Sequence, residues 1–560
     1  MVFLQELRHL KGALLLLVLL LALGLTLMAC GPAVEPDPSD PADDVDPDDD
    51  DPDPAEPGEP VRVTVAQVQG PVSWDPPQDW GAQPEWIIQN AYDYLFIRSC
   101  DGTEWVPQLA KDWENIDDLT WRFYLEEGVK FHDGSELTAH DVKHLYRRIL
   151  EGPQETYLVH NQYQFIDYMV VQDDYTIDFV THQPHTLTMW QLSQANTGAG
   201  ITSEAHFEEV GVEGYHREPM GTGPWMLKDW SRDEFALFEA NPDYWRGAPQ
   251  YDELMFRVIP EASTRVAELI AGDVDLVHQV NAQDYDRLQD MDGVRAEWHK
   301  SDRNWVLQPR STVDDDHKDD PELNREYTTD DPRIRKAIEL AVDKYVLRDI
   351  AGGIGEPFRG LLSHPPEEGH PDNYGPSANL YDPDRARELI AEAGYEPGEA
   401  TLVFHSYEMH PYGDVSRVIE DMLEDVGFSV ELHLLDQSTM ITEIYRPRKS
   451  EELMIWAGIG IGNPYFGTFN MDKETFEARR SYPGGYPDNM EETLNTVFTS
   501  VDDYDAYIEA FQRLDMMVAE DRHTIGLFQE SVLWGMKDRI EYTPRVPDAD
   551  IMGYKIQVVE

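Results

Sequence analysis

The nearest approach to metal chemistry in this sequence is the pair His140 and His144, four residues apart, a spacing that lets two imidazoles on one helix face a single ion. Two donors leave a tetrahedral ion half-liganded, so no metal is expected there. The run Gly458-Ile459-Gly460-Ile461-Gly462 has the small residues of a phosphate loop, but it lacks the dinucleotide spacing and runs into Asn463-Pro464 instead of a helix. Ser193, Ser203 and Ser231 have no nucleophile-elbow context, and no Walker sequence occurs. The aspartate run before residue 54 lacks the glycine and terminal glutamate of an EF-hand loop. No catalytic residue, metal or cofactor is therefore expected.

The pattern that is present is one of scaffold. Leu119, Trp121, Phe123 and Leu125 alternate with Thr120, Arg122 and Tyr124, the period of a half-buried strand. His132-Asp133-Gly134 supplies turn chemistry, and Thr138 three residues before Asp141 has the form of a capping box, which places the next apolar positions on a helix. Further along, Glu253 to Ile259 reads as a strand and Ala262 to Ala271 as a helix, while Pro332 to Val342 and Pro383 to Ala393 read as helices with proline in the first turn. The body opens on an alternating strand, Val61 to Ala66, and closes on a strand-like segment, Gly553 to Val559.

In order, spacing and residue type, the run from Glu104 to Leu150 resembles the signature of the large extracellular solute-binding proteins that serve peptide and nickel ABC importers, family 5, also called cluster C. The matching residues are Pro107, Leu109, Ala110 and Trp113, then Gly128 to Gly134, then Thr138 to Val142. Four later segments are similar to the same family: Gly221-Thr222-Gly223-Pro224-Trp225, Asn241-Pro242-Asp243-Tyr244-Trp245, the helix start Asp331 to Ala337 and the helix start Tyr381 to Ala386. The resemblance implies an α/β, two-lobed periplasmic-binding-protein-like fold of type II, with an extra inserted subdomain. Lobe I is expected to take residues 61–98, 216–305 and 520–560, the inserted subdomain 99–215, and lobe II 306–519. The acidic stretch from Ser311 to Asp331 reads as a surface insertion, and the helix carrying His140 and His144 as a surface element.

Three segments line the cleft between lobes in that family. Their counterparts here are Trp74, Trp80 and Gly81 after the first strand, of which Trp74 above all could instead pack the core; Asn304 and Trp305 in the lobe-linking segment; and Trp456, Ala457, Ile459, Asn463, Tyr465 and Phe466 in lobe II. Aromatic walls with a few placed polar groups suit a buried solute. Peptide binders of the family carry an aspartate near the position of Ile459, which meets the ligand's ammonium. Ile459 cannot, so either Asp436 or another acid substitutes, or the solute lacks a free amine, as an oligosaccharide does. His132, in its turn, is expected to be structural, and His405, His410 and His433 hydrogen-bonded or solvated.

The first 30 residues read as a secretory signal peptide, with a leucine-rich stretch and Leu27-Met28-Ala29-Cys30 similar to a lipobox, which makes Cys30 the expected lipidation site; an uncleaved anchor is the alternative. Residues 31–60, proline-rich and acidic with almost nothing apolar to bury, form an extended tether. Cys100 is the other cysteine, so no disulfide framework is expected. The net charge is −65; the tether holds −13 and the leader +1, which leaves −53 on residues 61–560. Such a body repels itself until salt shortens the reach of its charges, pointing to a salt-adapted protein, and it excludes nucleic acid as a partner. The expected function is that of a monomeric, lipid-anchored, extracytoplasmic receptor delivering a peptide-like or other small polar solute to an ABC permease. A sensory receptor of the same fold is a second possibility. An extracellular glycan hydrolase, which needs a carboxylate pair in a cleft, is a third.

Overall fold

The computed structural model describes residues 60–560 apart from 79–81, 100–103, 154–155, 158, 194–197, 310–326, 353–354, 361–370, 410, 437–438, 441–443, 445–452, 459–488, 502, 523, 545–550 and 560. In chain order the strands are β1 (Arg62–Gln67), β2 (Phe96–Arg98), β3 (Trp105–Pro107), β4 (Ala110–Asp117), β5 (Thr120–Leu125), β6 (Ile166–Asp173), β7 (Thr176–Thr181), β8 (Trp225–Ser231) and β9 (Phe235–Ala240). They continue as β10 (Glu253–Val258), β11 (Leu276–His278), β12 (Val294–Pro309), β13 (Gly355–Pro357), β14 (Ala400–Tyr407), β15 (Phe428–Leu435), β16 (Leu453–Gly458) and β17 (Ile525–Lys537).

One sheet runs through the body in the order β15-β14-β16-β12-β17-β11-β1-β10-β9-β8, with β13 also on β17. Its two halves meet at β12 and β17, of 16 and 13 residues, which belong to both. Past the crossing, each along its own chain direction, β17 pairs with β11 and β12 pairs with β16. The register of the long pair slips at the crossing: Lys300 faces Ser531 and Asn304 faces Gln529, with an irregularity between them.

The period-two pattern of β1 explains how its half is built. Val63 and Val65 enter a core with Phe256 and Trp534 on one face, while Ala66 joins Val266 and Val277 on the other. The other half has its own core, including Leu307, Ile338, Phe404 and Ile455. A separate antiparallel sheet, β4-β5-β7-β6, packs Phe123 and Phe179 against Val142 and Ile149 of the helix Ala139–Glu151. Burying a side chain of this size stabilises by about 1.5–3 kcal/mol.

The local signals hold. Thr138 and Asp141 form a reciprocal capping box, and Asp331 and Asp382 cap the helices Pro332–Ala341 and Pro383–Glu392. Two expectations are corrected. The closing segment is a strand only at Gln557–Val558, paired with Ile540–Glu541, because Gly553–Lys555 tightens into a 3-10 turn. The helix Ala139–Glu151 is not a bare surface element: His144 is buried, with its Nδ1 3.2 Å from Glu204 Oε1 and its ring against Phe207.

Candidate solute-binding site

The motifs that carry the family pattern converge on one buried carboxylate, Asp93. Gln108 donates to its Oδ1 at 2.6 Å and Tyr244 at 2.9 Å, while Thr222 and the Trp245 indole each donate to Oδ2 at 2.9 Å. Burial nonetheless pushes the Asp93 carboxyl up to about 6, outweighing the donors that favour its charge. The glycines alongside are there for closeness. A Cβ on Gly221 would lie 2.0 Å from the Ala91 carbonyl oxygen, and one on Gly223 2.5 Å from the Ala91 carbonyl carbon. His132 closes the knot: its N–H donates to Gly221 O and its Nε2 lies 3.0 Å from Gly223 O. Burial lowers its pKa to about 4. His132 is therefore structural, and the signature is a rivet joining the chain around residue 93 to three distant turns.

A second rivet fixes the root of the expected cleft loop. Asp75 is fully buried and takes both ends of Arg148, at 2.8 and 2.6 Å, from the helix Ala139–Glu151. The Arg148 guanidinium also lies over the Phe207 ring at 4.4 Å. Trp74 is core: its indole meets Trp230 and Phe238 edge-on, and its carbonyl accepts from the Tyr92 hydroxyl. Trp80 and Gly81, the residues this root carries, lie outside the described residues.

The other candidates gather at the crossing. Asn304, fully buried, pairs with Gly458 on one side and Gln529 on the other; Trp305 pairs with Ala457, and Val306 with Trp456. The fold thus brings Asn304, Trp305, Trp456 and Ala457 onto neighbouring strands, at the point where the chain leaves β16. Trp305 packs inward, its ring 4.4 Å from Tyr412 and 5.4 Å from Phe528, and it donates its indole N–H to Glu530 Oε2 at 2.8 Å. Ile459, Asn463, Tyr465 and Phe466 lie outside the described residues, as do Cys30, Cys100 and His410.

Asp436, a possible substitute acid, serves the turn at Thr439, accepting its N–H at 3.1 Å and its hydroxyl at 2.6 Å. His405 and His433 stack at 5.2 Å on adjacent parallel strands, with Glu431 beside His433. Among the described residues no three His, Cys, Asp or Glu side chains group as metal ligands, and no helix is long and apolar enough to cross a membrane. The sequence reading missed Asp93 and Asp75. Each is a single acid with no local pattern, made important by partners far along the chain.

Residues 104–504 match the family described as bacterial extracellular solute-binding proteins, family 5 Middle. The chain is 28% identical to the glutathione-binding protein GsiB of Pectobacterium atrosepticum over 376 residues, 66% of this chain and 69% of that protein. It is 27% identical to the dipeptide-binding protein of Escherichia coli (strain K12) over 363 residues, 60% of this chain and 63% of that one. The fold superposes on a dipeptide-binding protein from Pseudoalteromonas sp. SM9913, in complex with Met-Leu, with a TM-score of 0.74 at 19% identity, over 89% of this chain and 100% of that one. With a type II two-lobed fold built around a crossing strand pair, and a family match over most of its length, the chain belongs to the bacterial extracellular solute-binding proteins of family 5, which bind for transport and are not enzymes.

Proposed function

We propose that this chain captures a peptide-like solute between its two lobes and presents it to an ABC permease. The observation that carries the reading is the crossing: β12 and β17 run unbroken through both halves of the sheet, and their register slips beside Asn304, where β16 ends and the expected ligand loop begins. Such a strand pair can act as a hinge. The relatives named for glutathione and dipeptides support a small peptide as the solute. A solute shifts the open–closed balance only by its preference for one state, and a micromolar receptor has about 8 kcal/mol to divide between grip and closure.

The division we propose places lobe I in residues 61–98, 216–305 and 520–560, the inserted subdomain in 99–215 and lobe II in 306–519; the separate cores of the two sheet halves and the β4-β7 sheet support it, except that Trp305, Ile525, Leu527 and Phe528 at the crossing pack in the lobe II core. Attachment through an acylated Cys30, with residues 31–60 as spacer, and adaptation to salt belong to the same reading. Ile459, where peptide binders of the family carry an acid, sustains a second reading in which the solute is an oligosaccharide.

Native mass spectrometry of protein purified without added solute, followed by calorimetric titration with glutathione, dipeptides and oligosaccharides, separates the two. A retained mass matching a peptide, and heat on adding one, is the expected result. Binding of sugars alone would transfer the reading to the second solute class. Chemical conversion of any of them would end both.

A further inference from the structure

The helices Met490–Thr499 and Tyr504–Asp521 have two allegiances. The end of the second is bolted to the half of the body that holds β14 to β16. Arg335 donates to the Asp521 carbonyl at 3.0 Å, Arg522 to Glu339 Oε2 at 2.6 Å, and Asn373 to Asp515 Oδ2 at 2.8 Å. Glu339 is itself buried and receives Arg359 at 2.9 Å, so this anchorage is internal and multiply cross-linked. Yet the same two helices place Met490, Leu494 and Phe511 against Leu187 and Trp190, which belong to the β4-β7 subdomain.

Leu187 and Trp190 are just as firmly held on their own side. His185 stacks on Phe165 at 4.6 Å, Gln191 donates to the Gln162 carbonyl at 2.6 Å, and the Trp190 ring meets Trp105 edge-on, with the Arg98 guanidinium 4.4 Å from both indoles. Across the contact, Thr186 gives both its N–H, at 2.8 Å, and its hydroxyl, at 3.1 Å, to the carbonyl of Phe498, a polar seam beside the apolar patch. Phe498 lies near the end of its helix, where the last carbonyls lack intrahelical partners and accept from outside.

We propose that this patch is a closing latch: a second contact between the lobes, made by side chains outside the hinge strands and outside the expected solute loop, that sets how much of the receptor stands closed. The inference rests on the reading of the chain as a two-lobed receptor. Because β12 and β17 join the halves by continuous backbone, the angle between them is decided by what else touches. An apolar patch with one shared carbonyl stabilises the closed state without recognising any solute. It therefore shifts affinity for every solute by a common factor and leaves selectivity unchanged.

Hydrogen exchange of the full-length protein without solute tests this, since the Thr186 amide is covered only while the contact holds. In the variants Leu494→Ala and Leu187→Ala, one on each side of the patch, exchange at Thr186 should quicken by about tenfold or more while the amides of β5 keep their rates. Overturning results are unchanged exchange at Thr186 in both variants, or acceleration of β5 in step with Thr186, which would make the patch part of the subdomain's folding core. Glutathione titration of the same variants is read separately. A latch predicts weaker binding by a similar factor, and failure of the wild-type protein to bind any peptide refutes the solute reading while leaving the exchange result to stand on its own.

Discussion

Asp75 and Asp93 show how a single side chain governs this body. Each is buried and each has partners from distant segments, but they differ in kind: Asp75 is paired directly with the full positive charge of Arg148, whereas the hydrogen bonds to Asp93 come from neutral donors, and burial outweighs them and the Arg246 charge to lift its carboxyl to about 6. Asp75→Ala leaves the Arg148 charge buried without its partner, and we expect a loss of about 3–5 kcal/mol, read from the denaturant midpoint. His185 provides a pH prediction. Burial between Phe165 and Phe498 brings its pKa down to about 3, below the ordinary 6.5 of an exposed imidazole. The neutral ring is the one that fits, so its contribution is complete above pH 6.5 and is lost progressively as the pH falls towards 3, by up to about tenfold in the opening equilibrium per pH unit. Exchange at the Thr186 amide, compared at each pH between wild type and His185→Phe, should diverge below pH 6.5. Parallel curves would refute the assignment.

At the scale of elements, the turns decide. The Gly221–Gly223 loop lies against the Ala91–Tyr92 backbone with no room for a methyl group at either glycine. Gly223→Ala must move backbone on one side or the other, so it should cost about 3 kcal/mol or more in thermal or denaturant unfolding, at the upper end of overpacking penalties. Thr138→Ala is a contrasting case. It removes one half of a capping box at a helix N-terminus, and a loss of about 1 kcal/mol is expected, with the fold intact. If both substitutions had equal effects, the rivet around Asp93 would be no more than an ordinary turn.

For the whole molecule, charge and the crossing strands matter most. With −65 on 560 residues, unfolding relieves repulsion, and salt should therefore stabilise the folded body. Raising salt from about 0.01 M to 1 M shortens the screening length from about 30 Å to 3 Å, and the melting temperature should climb throughout that range. A melting temperature indifferent to salt would contradict the proposed adaptation. The hinge reading makes a separate demand: adding a bound solute should reduce the radius of gyration, and the latch variants should enlarge that of the free protein.

Much of this was legible in the sequence because it is local. A capping box spans four residues, β5 shows its alternation over six, and the order of the motifs from Pro107 to Ala386 is a property of the string itself; together these identified the family and its two-lobed class. The sense of the net charge is likewise fixed by composition. What only the tertiary structure decided are the meetings between faces: Asp93 with Trp245, Asp75 with Arg148, Thr186 with Phe498, the last two residues being 312 apart in the chain. Periodicity tells which side of an element must be buried but not what will cover it. Trp305 illustrates the gap, since the sequence marks it as a large aromatic at a lobe link, and the packing of Tyr412 and Phe528 about it gives the ring a place in the core. A side chain's partner is chosen by the closure of the chain around it, and that closure is a property of the folded whole.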